Sequence, residues 1–414
     1  MAYIDLKYGH TQIPFEFDES RFQILNTCAE QRPLSDIEIG KRLDSPIDAP
    51  PLEDIIPPGE TVLIVVPDAT REAAAGQIVN LIVRRLISNG TAPFEISIIF
   101  ATGIHRAVTQ MEKERIVTPF VAQRIKMLDH GCRDLMQLQP LGETNSGIPV
   151  ELNRVLAEND HVIIIGAITF HYFAGFTGGR KLICPGLASS RTILSTHKLA
   201  FDCETKDRRV GVGAGLLDGN AVHEAFMQAA ALIEPSFAVN SIVNPQGEAT
   251  EMFCGNWITS HRKACDRFAA ENIIEIDEKR DLVIADCGGD PFDINMIQAH
   301  KTLDAVTEAC TDGGTIVLLA ECREGLGHKD FLKWFGSNSN DLSEKLCENY
   351  QVNGQTAWSL LKKAERFDVR MMTKLTDNDL RIMKLSRIDN FNKIVNKNGY
   401  IFPNAAKIRI KIKK

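Results

Sequence analysis

The sequence predicts an α/β fold of two domains, each built on a largely parallel sheet flanked by helices. Short runs rich in Val and Ile are continuously apolar, which is typical of strands buried on both faces. These runs occupy residues 61–66, 94–101, 161–167, 281–287 and 314–320. Amphipathic patterns typical of helices lie between them, at residues 74–88, 221–233 and 294–310.

The boundary between the two domains is predicted near residues 260–280, where a charged helical stretch leads into a new strand–helix–strand set. We therefore expect an N-terminal domain over residues 1–270 and a C-terminal α/β domain over residues 275–404. The alternating segment 405–414 is compatible with a strand that returns to the first domain.

Composition excludes several classes of protein. The 414 residues are 44% hydrophobic and 24% charged, with a net charge of −7, which is ordinary for a globular chain. Mixed charges with an acidic balance argue against nucleic acid or an anionic membrane as the main partner. No run reaches the roughly 18 apolar residues of a membrane span, and no signal peptide is evident, so we expect a cytoplasmic protein. Ten cysteines without a CxxC pair predict reduced thiols and no zinc site.

Polar residues follow three of the predicted strands of the first domain. Asp68 and Arg71 come after the first run, His105 after the second and His171 after the third. Ligands of open parallel sheets bind beyond the carboxyl ends of the strands, where the loops converge. The sequence therefore predicts that these four side chains share one site.

A glycine-rich segment follows His171. Thr177, Gly178 and Gly179 could offer backbone N–H groups to a phosphate, with Lys181 beside them. The residues flanking Lys181 do not fit the nucleotide P-loop pattern, so an NTPase is excluded. Lys181 is either a counter-charge, an attachment nucleophile or a solvated residue that closes a turn.

Three further residues are candidates on helices. His197 is either a metal ligand in its neutral form or an ordinary helix histidine. Gln298 and Lys301 are three residues apart and share a helix face, which either binds a carboxylate or faces solvent. Asp293 is predicted to cap the start of that helix, and Asp218 or Asn220 to cap the helix at 221–233.

Five motifs together resemble the nickel-dependent lactate racemase family. They are PDATR, GIHR, HYFAGFTGGRKLICPGLAS…TH, LLDGNAVHEAF and DINMIQAHK, in order between about residues 60 and 310. The resemblance implies a racemase or epimerase of 2-hydroxy acids, with lactate as the default substrate and malate, aromatic or sugar acids left open. It implies hydride removal to a nickel-pincer nucleotide and its return, through a 2-keto acid. That cofactor is Ni²⁺ held by a pyridinium-3-thioamide-5-thiocarboxylic acid mononucleotide.

The resemblance also implies a role for each candidate residue. Lys181 would hold the cofactor covalently beside the phosphate turn at 177–179, His197 would bind nickel, and His105 with His171 would be the acid–base pair. The positions implied for orienting the substrate and supporting the site are Asp68, Arg71, Gln298 and Lys301. The active site would lie in the interdomain cleft. Accessory enzymes that build the cofactor are expected partners, and recombinant chain produced without them would be apoprotein.

Two alternatives remain open at this point. One is an NAD-dependent 2-hydroxyacid dehydrogenase, against which the absence of a GxGxxG turn counts. The other is a protein that binds nickel or a nucleotide and has no catalytic activity. Net oxidation of substrate distinguishes the first, and unchanged chirality of every hydroxy acid distinguishes the second.

Overall fold

The computed structural model describes residues 1–27, 32–336, 338–391, 394 and 397–413. Within these ranges, no helix combines the length and hydropathy that crossing a lipid bilayer requires. The strands are β1 (Ala2–Tyr8), β2 (Thr11–Phe17), β3 (Phe22–Ile24), β4 (Val62–Pro67), β5 (Ile96–Ala101), β6 (Lys126–Leu128), β7 (Leu138–Glu143), β8 (Pro149–Asn153), β9 (His161–Ala167), β10 (Phe170–His171), β11 (Gly175–Phe176), β12 (Phe201–Asp202), β13 (Asp207–Arg208), β14 (Phe237–Val243), β15 (Ala249–Gly255), β16 (Ile273–Ile276), β17 (Arg280–Asp286), β18 (Cys310–Leu319), β19 (Asp368–Met372), β20 (Ser386–Arg387), β21 (Gly399–Phe402) and β22 (Arg409–Ile412).

The α-helices of the same ranges alternate with these strands. They are α1 (Asp36–Asp44), α2 (Leu52–Ile55), α3 (Ala75–Ser88), α4 (Gln110–Val117), α5 (Pro119–Ala122), α6 (Ser190–Lys198), α7 (Ala221–Ala231), α8 (Thr259–Asn272), α9 (Met296–Val306), α10 (Ser339–Glu348), α11 (Val352–Arg366) and α12 (Asp377–Ile382).

The first sheet has the strand order β15-β14-β9-β4-β5-β6. All neighbours are parallel except β14 and β15. Every residue of β4 is buried, because helices cover both faces of the sheet. This sheet and its helices are called the first lobe below.

The second sheet is parallel throughout, in the order β20-β19-β18-β17-β21-β3. Helices α9 and α11 contribute to the core on one face, and the β1–β2 hairpin covers the other. This sheet and its coverings are called the second lobe. The predicted fold class, an α/β chain built on two largely parallel sheets, is therefore confirmed.

The chain termini lie elsewhere than the sequence analysis places them. Phe15 of the opening hairpin packs against the second sheet, beside Leu282 and Val317, and β3 forms the edge strand of that sheet. The last strand, β22, pairs in parallel with β16 in the connection between the lobes. Alternating apolar residues show that a strand has one buried face, but they do not show which sheet that face covers.

Two cysteines are paired, contrary to the expectation of reduced thiols throughout. Cys203 and Cys347 form a disulfide with their Cα atoms 5.6 Å apart. They are 144 residues apart in sequence, so no short cysteine-spacing motif predicts the bond. Tertiary folding alone brings them together.

Candidate active site

The candidate site lies where the carboxyl ends of β4, β5 and β9 face α9 of the second lobe. Asp68 directly follows β4, His105 lies four residues beyond β5, and His171 lies four residues beyond β9. The three strands are neighbours in the sheet, so their loops emerge side by side.

Asp68 and His105 form a hydrogen-bonded pair. The Nδ1 atom of His105 lies 2.7 Å from Oδ2 of Asp68, and Oδ1 of Asp68 accepts a hydrogen bond of 2.6 Å from the Thr70 hydroxyl. The Asp68 side chain is only 6% exposed, whereas that of His105 is 46% exposed. Burial acts to raise the pKa of Asp68, but the bonds from His105 and Thr70 outweigh it and the pKa lies below its ordinary value. The carboxylate therefore fixes the proton of neutral His105 on Nδ1 and leaves Nε2 as an acceptor.

His171 carries the opposite tautomer. It is buried, and its ring contacts Phe173 at 4.4 Å between centroids. Its Nδ1 accepts a hydrogen bond of 3.2 Å from the backbone N–H of Ala174, so the proton of the neutral ring is on Nε2. Burial, followed by the nearby charge of Lys181 and other cations, holds the pKa of His171 well below its ordinary value.

Lys181 lies in an aromatic pocket. Its Nζ is 5.7 Å from the ring centre of Phe173 and 5.5 Å from that of Phe226. Burial first, and then the charges of Arg180 and Arg71, hold the pKa of Lys181 well below its ordinary value. The amine therefore gives up its proton more readily than an exposed lysine does, and the neutral form is the one in which nitrogen is a nucleophile.

His197 packs against the same two rings, with centroids 5.1 Å from Phe173 and 5.6 Å from Phe226. It lies near the end of α6, which Ser189 caps. Its Nδ1 donates to the carbonyl of Ile193 at 2.7 Å, so Nε2 keeps a free lone pair. Burial, with the charge of Lys181 adding to it, lowers the pKa of His197 to about 3, so the ring is neutral.

The second lobe contributes Gln298 and Lys301, which share a face of α9 as predicted. Lys301 Nζ donates to Gln298 Oε1 at 2.6 Å. Burial and then the charge of Arg71 hold the pKa of Lys301 well below its ordinary value. Asn295, not Asp293, caps this helix, because its side chain accepts the N–H of Gln298.

Asp293 instead accepts backbone N–H bonds from Gly9 and Glu321, at 2.7 and 3.1 Å. It thus holds the opening hairpin on the second lobe and takes no part in the start of α9.

The charged groups of the predicted site residues lie close enough to influence one another. The side chain of Arg71 is accessible to water, yet its charge acts on His171, Lys181 and Lys301. Of the predicted site residues, three are lysine or arginine and Asp68 alone carries a carboxylate, which is engaged by His105. Such a site favours an anionic ligand.

The backbone conformation and close packing of the glycine-rich turn explain why glycine occupies residues 178 and 179. Gly178 and Gly179 have φ values of +71° and +50°. A Cβ on Gly179 would lie 2.5 Å from the ring of His261. The Thr177 hydroxyl donates to the carbonyl of Ala167 at 2.7 Å and accepts from the N–H of Thr169 at 2.8 Å. The backbone N–H of Thr177 donates to the carbonyl of Thr169 at 2.9 Å, so the hydroxyl and the N–H of this residue are both engaged within the turn. The cofactor-binding role of Thr177, Gly178 and Gly179 stays a prediction.

Phe173, Phe226 and Asn220 were missed as contributors to the site. Asn220 caps α7, one of the two predicted alternatives, and its side chain also donates to the carbonyl of Phe173 at 2.9 Å. This bond ties the helix that carries Phe226 to the loop that carries Phe173. The LLDGNAVHEAF motif contained the signal, since it joins the cap and Phe226 in one segment.

Buried histidines predict acid sensitivity. Burial lowers the pKa of His130 to about 4 and those of His197 and His223 to about 3. A histidine of the unfolded chain becomes protonated below about pH 6.5, whereas these buried histidines of the folded chain stay neutral until the pH reaches their lower pKa values. The unfolding free energy therefore falls as the pH is lowered from about 6.5 toward those values. At pH 5 we expect a loss of about 2 kcal/mol in unfolding free energy for each such histidine.

Urea unfolding at pH 7 and pH 5 measures this loss. A His130→Gln variant should lose about 2 kcal/mol less than the parent chain between the two pH values. An equal loss in both proteins would contradict the assignment of a low pKa to His130.

The described residues contain no group of three or more His, Cys, Asp or Glu side chains placed to hold a metal ion. His197 does offer one free nitrogen, next to the buried amine of Lys181, whose pKa is held well below its ordinary value. These two residues therefore fit a metal ion that takes one ligand from His197 and its other ligands from an organic group attached to Lys181.

Comparison with known proteins identifies the family of the chain. Two family models match the chain: the lactate racemase N-terminal domain over residues 8–208 and the lactate racemase C-terminal domain over residues 276–412. The chain is 30% identical over 339 residues to lactate racemase of Thermoanaerobacterium thermosaccharolyticum, covering 81% of this chain and 78% of the relative. It is 31% identical over 338 residues to lactate racemase of Lactiplantibacillus plantarum, covering 80% and 77%.

Solved structures show the same relationship. The lactate racemase apoprotein of T. thermosaccharolyticum superposes with a TM-score of 0.90 at 25% identity, covering 99% of this chain and 100% of that one. A Thermotoga maritima protein shares the fold, with a TM-score of 0.70 at 17% identity, covering 93% and 100%. The chain therefore belongs to the lactate racemase family of isomerases.

Proposed function

We propose that this chain racemises or epimerises 2-hydroxy acids, with lactate as the default substrate, by means of a nickel-pincer nucleotide attached at Lys181. The observation that carries the proposal is one shared aromatic pocket. It holds the buried amine of Lys181 and the free nitrogen of His197, next to a cation-rich cleft with two histidines of opposite tautomer.

The chemistry of the substrate explains why such a cofactor is needed. The Cα–H of a 2-hydroxy carboxylate is barely acidic because the carboxylate is already anionic. A histidine of ordinary basicity cannot remove that proton at a useful rate. When bound, the nickel-pincer nucleotide would accept and return hydride at Cα, so that the configuration is lost in a planar 2-keto acid.

The residues of the chain handle the carboxylate and the hydroxyl proton. Arg71 and Lys301 would hold the carboxylate, and Gln298 keeps the Lys301 ammonium or amine group in place. His105, with Nε2 free, would accept the hydroxyl proton of one enantiomer. His171 would donate a hydrogen bond from Nε2 to the oxygen on the other side.

For the mirror-image substrate, His171 must act as the base. Its proton then has to be on Nδ1, which sacrifices the bond from Ala174. Giving up that bond of 3.2 Å leaves the buried N–H of Ala174 without its acceptor, which costs about 1–3 kcal/mol.

The experiment is a turnover assay on chain co-produced with the enzymes that build the cofactor. Each lactate enantiomer is supplied separately, and chiral chromatography follows the approach to a 1:1 mixture. Because the two enantiomers have equal free energies, kcat/KM should be the same in both directions. Malate and aromatic 2-hydroxy acids are tested next in the same way.

Absorbance at 340 nm with added NAD serves as the control, and it should not change. Net oxidation that depends on NAD would favour the dehydrogenase instead. Nickel bound at Lys181 and His197 with unchanged chirality of every acid tested would favour a protein that binds the cofactor without catalysis.

A further inference from the structure

A short arm of the first lobe docks on the second lobe. The arm comprises residues 200–209 and contains the β12–β13 hairpin. It begins directly after α6, the helix that carries His197. Phe201 of the arm is buried in the core of the second lobe, and its ring meets Trp358 of α11 edge to face at 4.9 Å. The arm is therefore a point of contact between the lobes at the edge of the active site.

Ion pairs between the arm and helices of the second lobe reinforce this contact. Lys206 of the arm binds Glu344 of α10 at 2.7 Å. Arg208 binds Asp304 of α9 at 2.8 Å, and Asp304 also binds Lys363 of α11 at 2.7 Å. Asp207 and Lys362 form a further pair. Charges on the partially exposed pairs hold the arm weakly, because water and salt screen them.

The Cys203–Cys347 disulfide adds a covalent bond at the same place, since Cys203 lies at the tip of the arm and Cys347 lies on α10. Cys203 is exposed and Cys347 is half-buried. The other cysteines of the described ranges are free and buried: Cys132, Cys184, Cys254, Cys265, Cys287, Cys310 and Cys322. A small thiol or disulfide in solution would therefore react at Cys203 before it reaches any of those.

We propose that Cys203 and Cys347 form a reversible redox clasp that limits separation of the two lobes. In the reduced chain the ion pairs and Phe201 still hold the arm but the covalent bond is gone, so the lobes separate more readily. In the oxidised chain the tip of the arm cannot leave α10, and the helix that carries His197 is tied to the second lobe.

The chemistry is thiol–disulfide exchange with a low-molecular-weight thiol. Its thiolate attacks Sγ of Cys203, the S–S bond breaks, and Cys347 leaves as a thiolate that takes up a proton. A second thiol attacks the mixed disulfide and releases Cys203 as a thiol. In total, two thiols are oxidised to one small disulfide as the protein disulfide is reduced to two thiols.

The first test titrates the purified full chain with mixtures of reduced and oxidised glutathione. Free thiols are trapped by alkylation and assigned by peptide mass spectrometry. We expect the peptides with Cys203 and Cys347 to change together, linked in oxidising mixtures and alkylated in reducing ones, and the seven buried cysteines to stay free. Two unlinked, separately glutathionylated cysteines in oxidising mixtures would overturn the proposal.

The second test measures lobe separation by hydrogen exchange in the oxidised and the reduced chain. Amides of residues 200–209 and of α10 should exchange about tenfold faster or more after reduction, because breaking the bond permits local opening. A double Cys203→Ser and Cys347→Ser variant should exchange like the reduced chain under both conditions. Equal exchange in the oxidised and reduced wild-type chain would show that the bond does not restrain the lobes.

A Glu344→Gln variant is the matched control. It removes the ion pair with Lys206 but keeps both sulfur atoms. Its oxidised form should exchange as slowly as the oxidised wild-type chain, and its reduced form at least as fast as the reduced one. Faster exchange in the oxidised variant would assign the restraint to the ion pair and overturn the clasp. None of these measurements requires a cofactor or turnover, so their outcome is independent of the proposed function.

Discussion

Replacing Lys181 by alanine should abolish attachment of the pyridinium nucleotide and lower the rate of racemisation by at least about a thousandfold, roughly 4 kcal/mol of transition-state stabilisation. The physical reason is that burial and the surrounding cations hold the pKa of this amine well below its ordinary value, which makes the nucleophilic neutral form easier to reach. A variant without the amine has no nucleophile in the pocket formed by Phe173 and Phe226. Peptide mass spectrometry across residue 181 measures the attachment, and chiral chromatography measures the rate.

Lys301→Ala is the matched control for this experiment. Lys301 is a second lysine whose pKa burial holds well below its ordinary value, but it lies on α9 and contacts Gln298. Its loss should leave the adduct at Lys181 intact while raising KM for the carboxylate substrate. A full-mass adduct in the Lys181→Ala protein, or its loss in the Lys301→Ala protein, would contradict the assignment of Lys181 as the attachment point.

The sheets could be predicted from the sequence because their strands are buried on both faces. A run such as 161–167 has no polar position beyond its first residue, so it fits a strand at the centre of a covered parallel sheet, and β9 spans the same residues. The opening hairpin could not be placed in this way. Phe15 and Phe17 show only that one face of the hairpin must be buried against some apolar surface. In the structure that surface is the second sheet, which is far from the hairpin in sequence.

The candidate site likewise has features that the sequence predicts and features that depend on tertiary packing. The positions of Asp68, His105 and His171 follow from a topological rule, since loops after adjacent parallel strands converge. Their protonation states depend on single hydrogen bonds, such as that from Ala174 to His171, which no residue pattern specifies. Phe226 is likewise an ordinary apolar helix residue in sequence, and only the packing of α6 beside α7 brings it against His197.

The Asp68→Asn substitution should lower racemisation by about a thousandfold or more, although it changes the size of the side chain very little. In the wild-type chain the carboxylate accepts the Nδ1 proton of His105 and leaves Nε2 free to accept a proton from substrate. An asparagine amide can donate to Nδ1 instead, which moves the proton to Nε2 and blocks the base. In the catalytic triad of serine proteases, a wrong histidine tautomer of this kind costs about ten thousandfold in turnover. Turnover at saturating lactate measures the effect.

Thr70→Val is the matched control, because it removes the hydroxyl bond to Oδ1 of Asp68 and leaves the bond that His105 donates to Oδ2. We expect a loss of less than about tenfold, since one neutral hydrogen bond is worth about 1 kcal/mol. If Asp68 acts through His105, a double Asp68→Asn and His105→Asn variant should be no slower than His105→Asn alone, because residues that act as a unit are not additive. Additive losses in the double variant would mean that Asp68 acts on the substrate directly and not through His105.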